Sequence, residues 1–270
     1  MITGLSLQNA AARLSVYYGS TQRALSYSLS RLAAGKNYLD PSDGIADYMR
    51  LQSAAMQRRG YERVQRDLGE AQAMMTTAET AGMSIEESLR RMKDLVKLYW
   101  QNTNDPMAQE AYENEFNAYK DTVNSVLNGN YYFGVNLSQA GTVASVILSP
   151  TDISRTLTIS FEAGDIVDTS GLAIDAGGGE AGALAALETQ YGAAKSYLVK
   201  VSGYLRAIDA QTGVVHSAID NLNAYESTVN DVDDIRELNS VVTNDIRSQA
   251  TLSMLAQGNM YRMGVLKLLE

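Results

Sequence analysis

The sequence predicts a mainly α protein, a long helical coiled-coil rod interrupted by one small β-hairpin region. Positions Tyr61, Val64, Leu68, Ala71, Met75, Ala78, Gly82, Ile85, Leu89, Met92, Val96 and Tyr99 follow strict 3,4 spacing, and only Gly82 lacks an apolar side chain. Leu184, Leu187, Tyr191, Ala194, Leu198, Val201, Leu205, Ile208, Thr212, Val215, Ile219 and Leu222 form a second line of the same kind, with Thr212 its single polar member. Three prolines, Pro41, Pro106 and Pro150, are all that interrupt 270 residues, so the intervals between and after them are free to be helical.

The elements follow in chain order. Leu7, Ala11, Leu14, Tyr18, Thr21, Leu25, Ser28 and Leu32 make a weaker heptad line near the N-terminus. "DPSDG" then supplies a turn and an N-cap signal, and "NTNDP" a stop, which predicts one helix from about residue 44 to about residue 101. At 1.5 Å per residue it is roughly 80–90 Å long. Gly60, Gly69 and Gly82 each weaken it by about 1 kcal/mol relative to Ala, so it needs a partner. A shorter helix after Pro106 carries Tyr112, Phe116, Tyr119, Val123 and Val126 at the same period and can fold back through the short "QNTNDPM" connection. Residues 131–180 change period: "TVASVIL" and "TLTISFEA" are β-branched, and Leu157, Ile159 and Phe161 alternate with polar partners, which predicts the hairpin region. "DAGGGEAGA" returns the chain to the second long helix.

After "DVDDIRE" a final helix runs to the C-terminus with apolar residues on more than one face. At 100° per residue Leu255, Met263, Leu266 and Leu269 spread too widely to meet a single neighbouring helix. Some of them therefore require cover from other molecules.

Composition excludes several functions. Lys and Arg number 22 against 31 Asp and Glu, a net charge of −9 that opposes nucleic-acid or anionic-membrane binding. With no cysteine there is no disulfide, thiolate metal site or thiol nucleophile. No apolar run approaches the ~18 residues of a membrane span, and the opening "MITGLSLQNAAARLSVYYGS" lacks the basic start, apolar stretch and small-residue site of a cleaved signal peptide. His216 is the only histidine, which removes a His-based triad and a His–His metal pair. "DAGGGEAGA" lacks the Gly-Lys-Ser/Thr of a phosphate loop. Asp231, Asp233, Asp234 and Glu237 invite comparison with a cation site, but acids opening a helix are explained by its dipole. The expectation is a non-enzymatic chain with no cofactor and no metal.

Both ends of the sequence carry family motifs. "SMLAQGNMYRMGVLKLLE" resembles the bacterial flagellin ending "SxLAQANxxPxxVLxLL": Ser253, Leu255, Ala256, Gln257, Asn259, Val265, Leu266, Leu268 and Leu269 match, while Gly258 replaces Ala and Arg262 stands where Pro is frequent. "ALSYSLSRLAAGKNYLDPSDGIADYMRLQS" is similar to the flagellin "L…S…RLSSG…I…DDAAG…", with Leu32, Gly35, Asp43 and Ala46 on matching positions. "NYYFGVNL" resembles "TQFNGxxLL". The "GK" and "PSD" of "AAGKNYLDPSDG" are also seen in the hook–filament junction protein, a relative with the same helical core and the alternative role.

The resemblance implies a filament subunit that is exported, polymerises with copies of itself and works outside the cell. It implies that residues 1–44 and 231–270 pair as a terminal coiled-coil inner core, and that residues 45–230 form a helical rod domain with its β region at about 131–180. On that reading Leu7, Leu14, Leu25, Leu32, Leu255, Met263, Leu266 and Leu269 make the contacts between subunits. An export chaperone and hook-associated or cap proteins are implied as further partners. "LRRMKDL" resembles the "LQRVREL" stretch that the host Toll-like receptor for flagellin recognises, which carries over to Arg91 and Leu95, with Glu115 of "ENEFN" at a third contact position. Neighbouring subunits are the simpler partner for that surface.

Overall fold

A computed structural model describes residues 2–267, and the surroundings of side chains for residues 9–261, 263 and 264. It is mainly α. Five helices, α1 (Ile2–Ala34), α2 (Ile45–Gln101), α3 (Pro106–Gly129), α4 (Gly179–Asn230) and α5 (Asp234–Lys267), are joined by short connections and by one β region between α3 and α4. That region holds two antiparallel pairs, β1 (Tyr131–Tyr132) with β2 (Val135–Asn136), and β3 (Gly141–Ile147) with β4 (Thr156–Phe161).

The helix ends have local causes. Asp105 accepts hydrogen bonds from the Met107 and Ala108 N–H groups at 3.1 and 3.2 Å, with Pro106 in the first turn, so α3 starts where the "NDP" signal put it. Before α2 the Asp43 carboxylate accepts the Leu39 and Asp40 N–H groups at 2.8 and 2.9 Å. Asp233 accepts the Arg236 N–H at 3.1 Å and caps α5, which gives one of the clustered acids a structural duty.

The chain divides into two compact units, residues 1–56 with 222–270, and residues 57–221. The boundaries fall inside α2 and α4, not at their ends near residues 44 and 230 as the motifs suggested. Caps and prolines mark where a helix stops; they carry no signal for where one packed unit gives way to another.

In the unit of residues 57–221 the two long lines are the core. Every position from Val64 to Val96 on the α2 line is buried, and Tyr61 and Tyr99 close it half-buried. On α4 the residues seven apart, Leu187, Ala194, Val201, Ile208 and Val215, are buried, whereas Leu184, Tyr191, Leu198, Leu205 and Thr212 are half-buried at the rim. Phe116 and Val123 of α3 join Ile85, Leu89, Met92 and Val96 in one cluster, and Ile159 and Phe161 of β4 join Leu68, Met75, Val201 and Ile208 in another. A Cβ at Gly82 would lie 2.8 Å from Leu198 Cδ2 and 3.1 Å from Tyr197 Cδ1, so the one seam position without a side chain is a point of close approach between α2 and α4.

The β region is tied to α4 by polar side chains. Tyr204 Oη accepts the Ser160 N–H at 3.2 Å and donates to the Ser160 carbonyl at 2.9 Å. Tyr197 Oη donates to the Leu137 carbonyl at 2.9 Å, and burial pushes its phenol up to about 12, so it stays a neutral donor. Asp165, 4% exposed, accepts from Ser196 Oγ at 2.7 Å, from Lys200 Nζ at 2.6 Å and from the Glu162 N–H at 2.8 Å. Burial alone would raise the Asp165 carboxyl; the Lys200 and Ser196 hydrogen bonds, the Glu162 N–H and the Lys200 charge outweigh it and hold it below the usual carboxylate range.

A depressed folded-state value stabilises the fold above the unfolded value and loses that contribution as pH falls through the folded one. Asp165→Asn should therefore cost this unit about 2–4 kcal/mol at neutral pH. Urea melts of wild type and variant should keep that gap above about pH 5 and converge as pH drops below about 4.

Candidate assembly interface

In the unit formed by the chain ends, α1 and α5 pack on each other. They run antiparallel: Gln22 Nε2 donates to Ser248 Oγ at 2.9 Å, and farther along Arg31 meets Glu237 at 3.7 Å. The corner beyond is closed by Asn37 Nδ2 donating to the Asp231 carbonyl at 2.7 Å, the Tyr38 N–H to Asn230 Oδ1 at 3.1 Å and the Val232 N–H to the Gly35 carbonyl at 3.2 Å. Glu237 is 6% exposed, and the Arg31 guanidinium, which also bonds Asn37, lies 5.7 Å from the Tyr27 ring centroid.

The seam between these helices is built on small polar residues. Thr21 and Ser28 of α1, with Ser248 and Thr251 of α5, are buried, and the leucines beside them are only half-covered. Thr21 and Thr251 turn their hydroxyls to the Tyr17 and Arg247 carbonyls of their own helices, at 2.9 and 2.7 Å, which satisfies them without a partner across the seam.

The weak heptad line of α1 is thus the seam itself. Leu14, Leu25 and Leu32 lie on it, and Leu255 on its α5 counterpart, all half-buried. Their 3,4 spacing places them on the face that already holds Thr21, Ser28, Ser248 and Thr251, so part of each is covered by the partner helix of the same chain. Met263 is 62% exposed. The side chains of Leu7 and Leu266, and all of Leu269, lie outside the described residues.

Opposite the seam runs a second apolar line. Ile235, Leu238, Val242 and Ile246 are 76%, 53%, 49% and 61% exposed, and at 100° per residue Ile235, Val242 and Ile246 sit about 120–180° from Glu237, Ser248 and Thr251, with Leu238 between the two faces. Met260 continues the line about two heptads on, and Met254 and Tyr261 lie to one side of it, all exposed. On α1 Val16 and Tyr27 face away from the seam. Single exposed apolar residues are ordinary, but two long helices with solvent-facing apolar residues in one unit mark an interaction surface.

Of the residues carried over for receptor recognition, Arg91 and Glu115 are exposed on α2 and α3. Leu95 is not: at 6% exposure it packs in the cluster with Val96 and Phe116, so it shapes that surface from beneath instead of lying on it. It stands three residues past Met92, on the broad side of an apolar stripe wider than a strict two-position seam.

No helix among the described residues is long and apolar enough to cross a membrane. A chain whose ends pair through a narrow polar seam while both helices keep outward apolar residues belongs with proteins that are completed by copies of themselves. Residues 5–140, just over half the chain, match the model for the bacterial flagellin N-terminal helical region, and the chain belongs to the flagellin family. Members of that family are structural and not enzymatic; this chain is a subunit of the bacterial flagellar filament, outside the cell. It is 24% identical to a flagellin of Halalkalibacterium halodurans over 281 aligned positions, covering 98% of each chain. Among solved structures it is similar to a chain assigned as a flagellar hook-associated protein of Vibrio parahaemolyticus, with a TM-score of 0.60, 14% identity, and coverage of 70% of this chain and 100% of that one. A Bacillus cereus flagellin matches with a TM-score of 0.49, 18% identity, and coverage of 55% and 88%. At 14% identity the likeness to the Vibrio parahaemolyticus chain speaks to the fold alone, so it does not favour the junction role.

Proposed function

We propose that the outward line Ile235, Leu238, Val242, Ile246 and Met260, with Met263 beside it, is the surface on which successive subunits pack in the filament. The observation that carries this is the separation of about 150° between the mean direction of that line and that of the α1–α5 seam: one partner helix cannot cover both faces of α5. Burying such side chains in a polymer contributes about 1.5–3 kcal/mol each, enough to drive association with a handful of them. Before assembly the same line needs cover, which suits an export chaperone that binds apolar helical surface; the cap and junction proteins would meet it at the filament's ends. Arg91 and Glu115 offer their exposed groups to neighbouring subunits in the first place, and to a host receptor only on free chains. Polymer formation by an Ile246→Asp chain, measured by sedimentation, tests the assignment of the outward line.

A further inference from the structure

Arg59, Arg63 and Arg66 lie on α2 within the unit of residues 57–221, and all three are exposed. Spacings of four and three residues put them within about 60° of one another on a single helix face. Arg58 beside them is held to Glu62 at 2.6 Å, whereas these three make no ion pair or hydrogen bond among the described residues. Like charges on one face repel, so a line of three unpaired guanidiniums in a chain of net charge −9 asks for an opposite surface.

That surface is present on α3. Glu110, Glu113 and Asp121 are exposed, off the face that carries Phe116 and Val123, and none is ion-paired among the described residues. The basic residue closest in sequence, Lys120, is half-buried and gives its hydrogen bond to the Leu172 carbonyl at 2.7 Å, so it leaves the acidic face uncompensated.

The two faces cannot meet within one copy. Phe116 and Val123 share a cluster with Ile85, Leu89, Met92 and Val96, which places α3 beside that stretch of α2. From Arg63 to Leu89 the helix advances by about 40 Å, several Debye lengths at physiological ionic strength.

We infer that the α2 arginines of one copy dock on the α3 carboxylates of a second copy. The arginines span about 10 Å and the carboxylates about 16 Å along straight helices, so the two rows overlay without bending either. The contact joins two different surfaces of the same chain, which makes it heterologous, the type that repeats into open helical polymers. It rests on the reading that the chain polymerises and adds a contact outside the terminal helices. Complementary charge of this kind fixes register and partner more than it adds affinity.

Three chains test it: one with Arg59→Glu, Arg63→Glu and Arg66→Glu, one with Glu110→Lys, Glu113→Lys and Asp121→Lys, and one carrying both sets. All six positions are exposed, and circular dichroism and thermal melts should match wild type. In growth from sheared filament seeds, each single-patch reversal should raise the critical concentration about tenfold or more, and the chain with both reversals should return toward the wild-type value. An equimolar mixture of the two single-patch chains should co-polymerise where each alone fails. A single-patch reversal that grows like wild type would overturn the docking and leave the filament reading intact. Failure of the doubly reversed chain to recover would overturn the pairing of these two faces. Unchanged growth together with lost retention of the Arg→Glu chain on heparin would assign the stripe to a polyanion instead.

Discussion

Ile246→Asp should abolish filament growth while leaving the monomer folded. Ile246 is 61% exposed in the isolated chain and lies opposite the seam, so the substitution removes nothing that α1 touches and leaves Ser248, Thr251 and Glu237 in place. In the polymer it would put a carboxylate where an apolar contact belongs. The lost burial and the cost of an unpaired polar group together come to about 4–5.5 kcal/mol per contact, or a critical concentration raised by about 10³–10⁴. Circular dichroism of the variant monomer should match wild type, and the melting of residues 57–221 should not move, because that unit has its own core. Sedimentation after seeding should find the protein in the supernatant. A pellet of normal size would show that the outward line is not a subunit contact; a monomer with lost helicity would show that it belongs to the fold of one chain.

Leu89→Ala and Phe116→Ala should give the largest losses of stability within a single chain. Both side chains are fully buried, in one cluster with Met92, Val96 and Val123. The cost is about 2–5 kcal/mol for the leucine and about 3–5 kcal/mol for the phenylalanine, read from urea unfolding at unchanged slope. Met107→Ala, at a residue 82% exposed, should stay within about 0.5 kcal/mol and serves as the comparison.

These two results concern different parts of the chain, and the sequence reveals the two parts unequally. The lines from Tyr61 to Tyr99 and from Leu184 to Leu222 are legible because a helix buried along one face repeats its apolar residues every three or four positions, and the bounds of α2 and α3 follow from Pro, Asp and Gly at their ends. The ties of the β region were not legible. Tyr197, Tyr204, Asp165 and Lys200 join segments far apart in the chain, and a hydrogen bond between distant segments leaves no period in either one. Tyr197 even sits one position off the heptad line, where spacing alone assigns it to the surface.

At the chain ends the difficulty is reversed, since the sequence holds apolar residues on two sides of each helix and pattern alone does not say which side faces the partner. The leucine-bearing line of α1 drew the assembly role, yet its small members Thr21 and Ser28 make it the side that a neighbouring helix can approach. Ile235, Leu238, Val242 and Ile246 follow helical spacing as clearly as any seam in the chain. They lie outside the family motif at the C-terminus, which begins at Ser253 and points to residues farther along the helix. Leu95 failed as a surface residue for a related reason: a motif carries over positions, and burial has to be read from the stripe around them.

The claim that the outward faces of α1 and α5 are covered by neighbouring subunits can be measured by oxidative footprinting of one preparation as monomer and as filament. The account predicts that Tyr27, Met254, Met260, Tyr261 and Met263, all exposed in the isolated chain, react in the monomer and are protected several-fold in the filament, while the buried Met75 and Met92 stay unreactive in both. Equal reactivity of the exposed residues in monomer and filament, with Met75 and Met92 still silent, would contradict it.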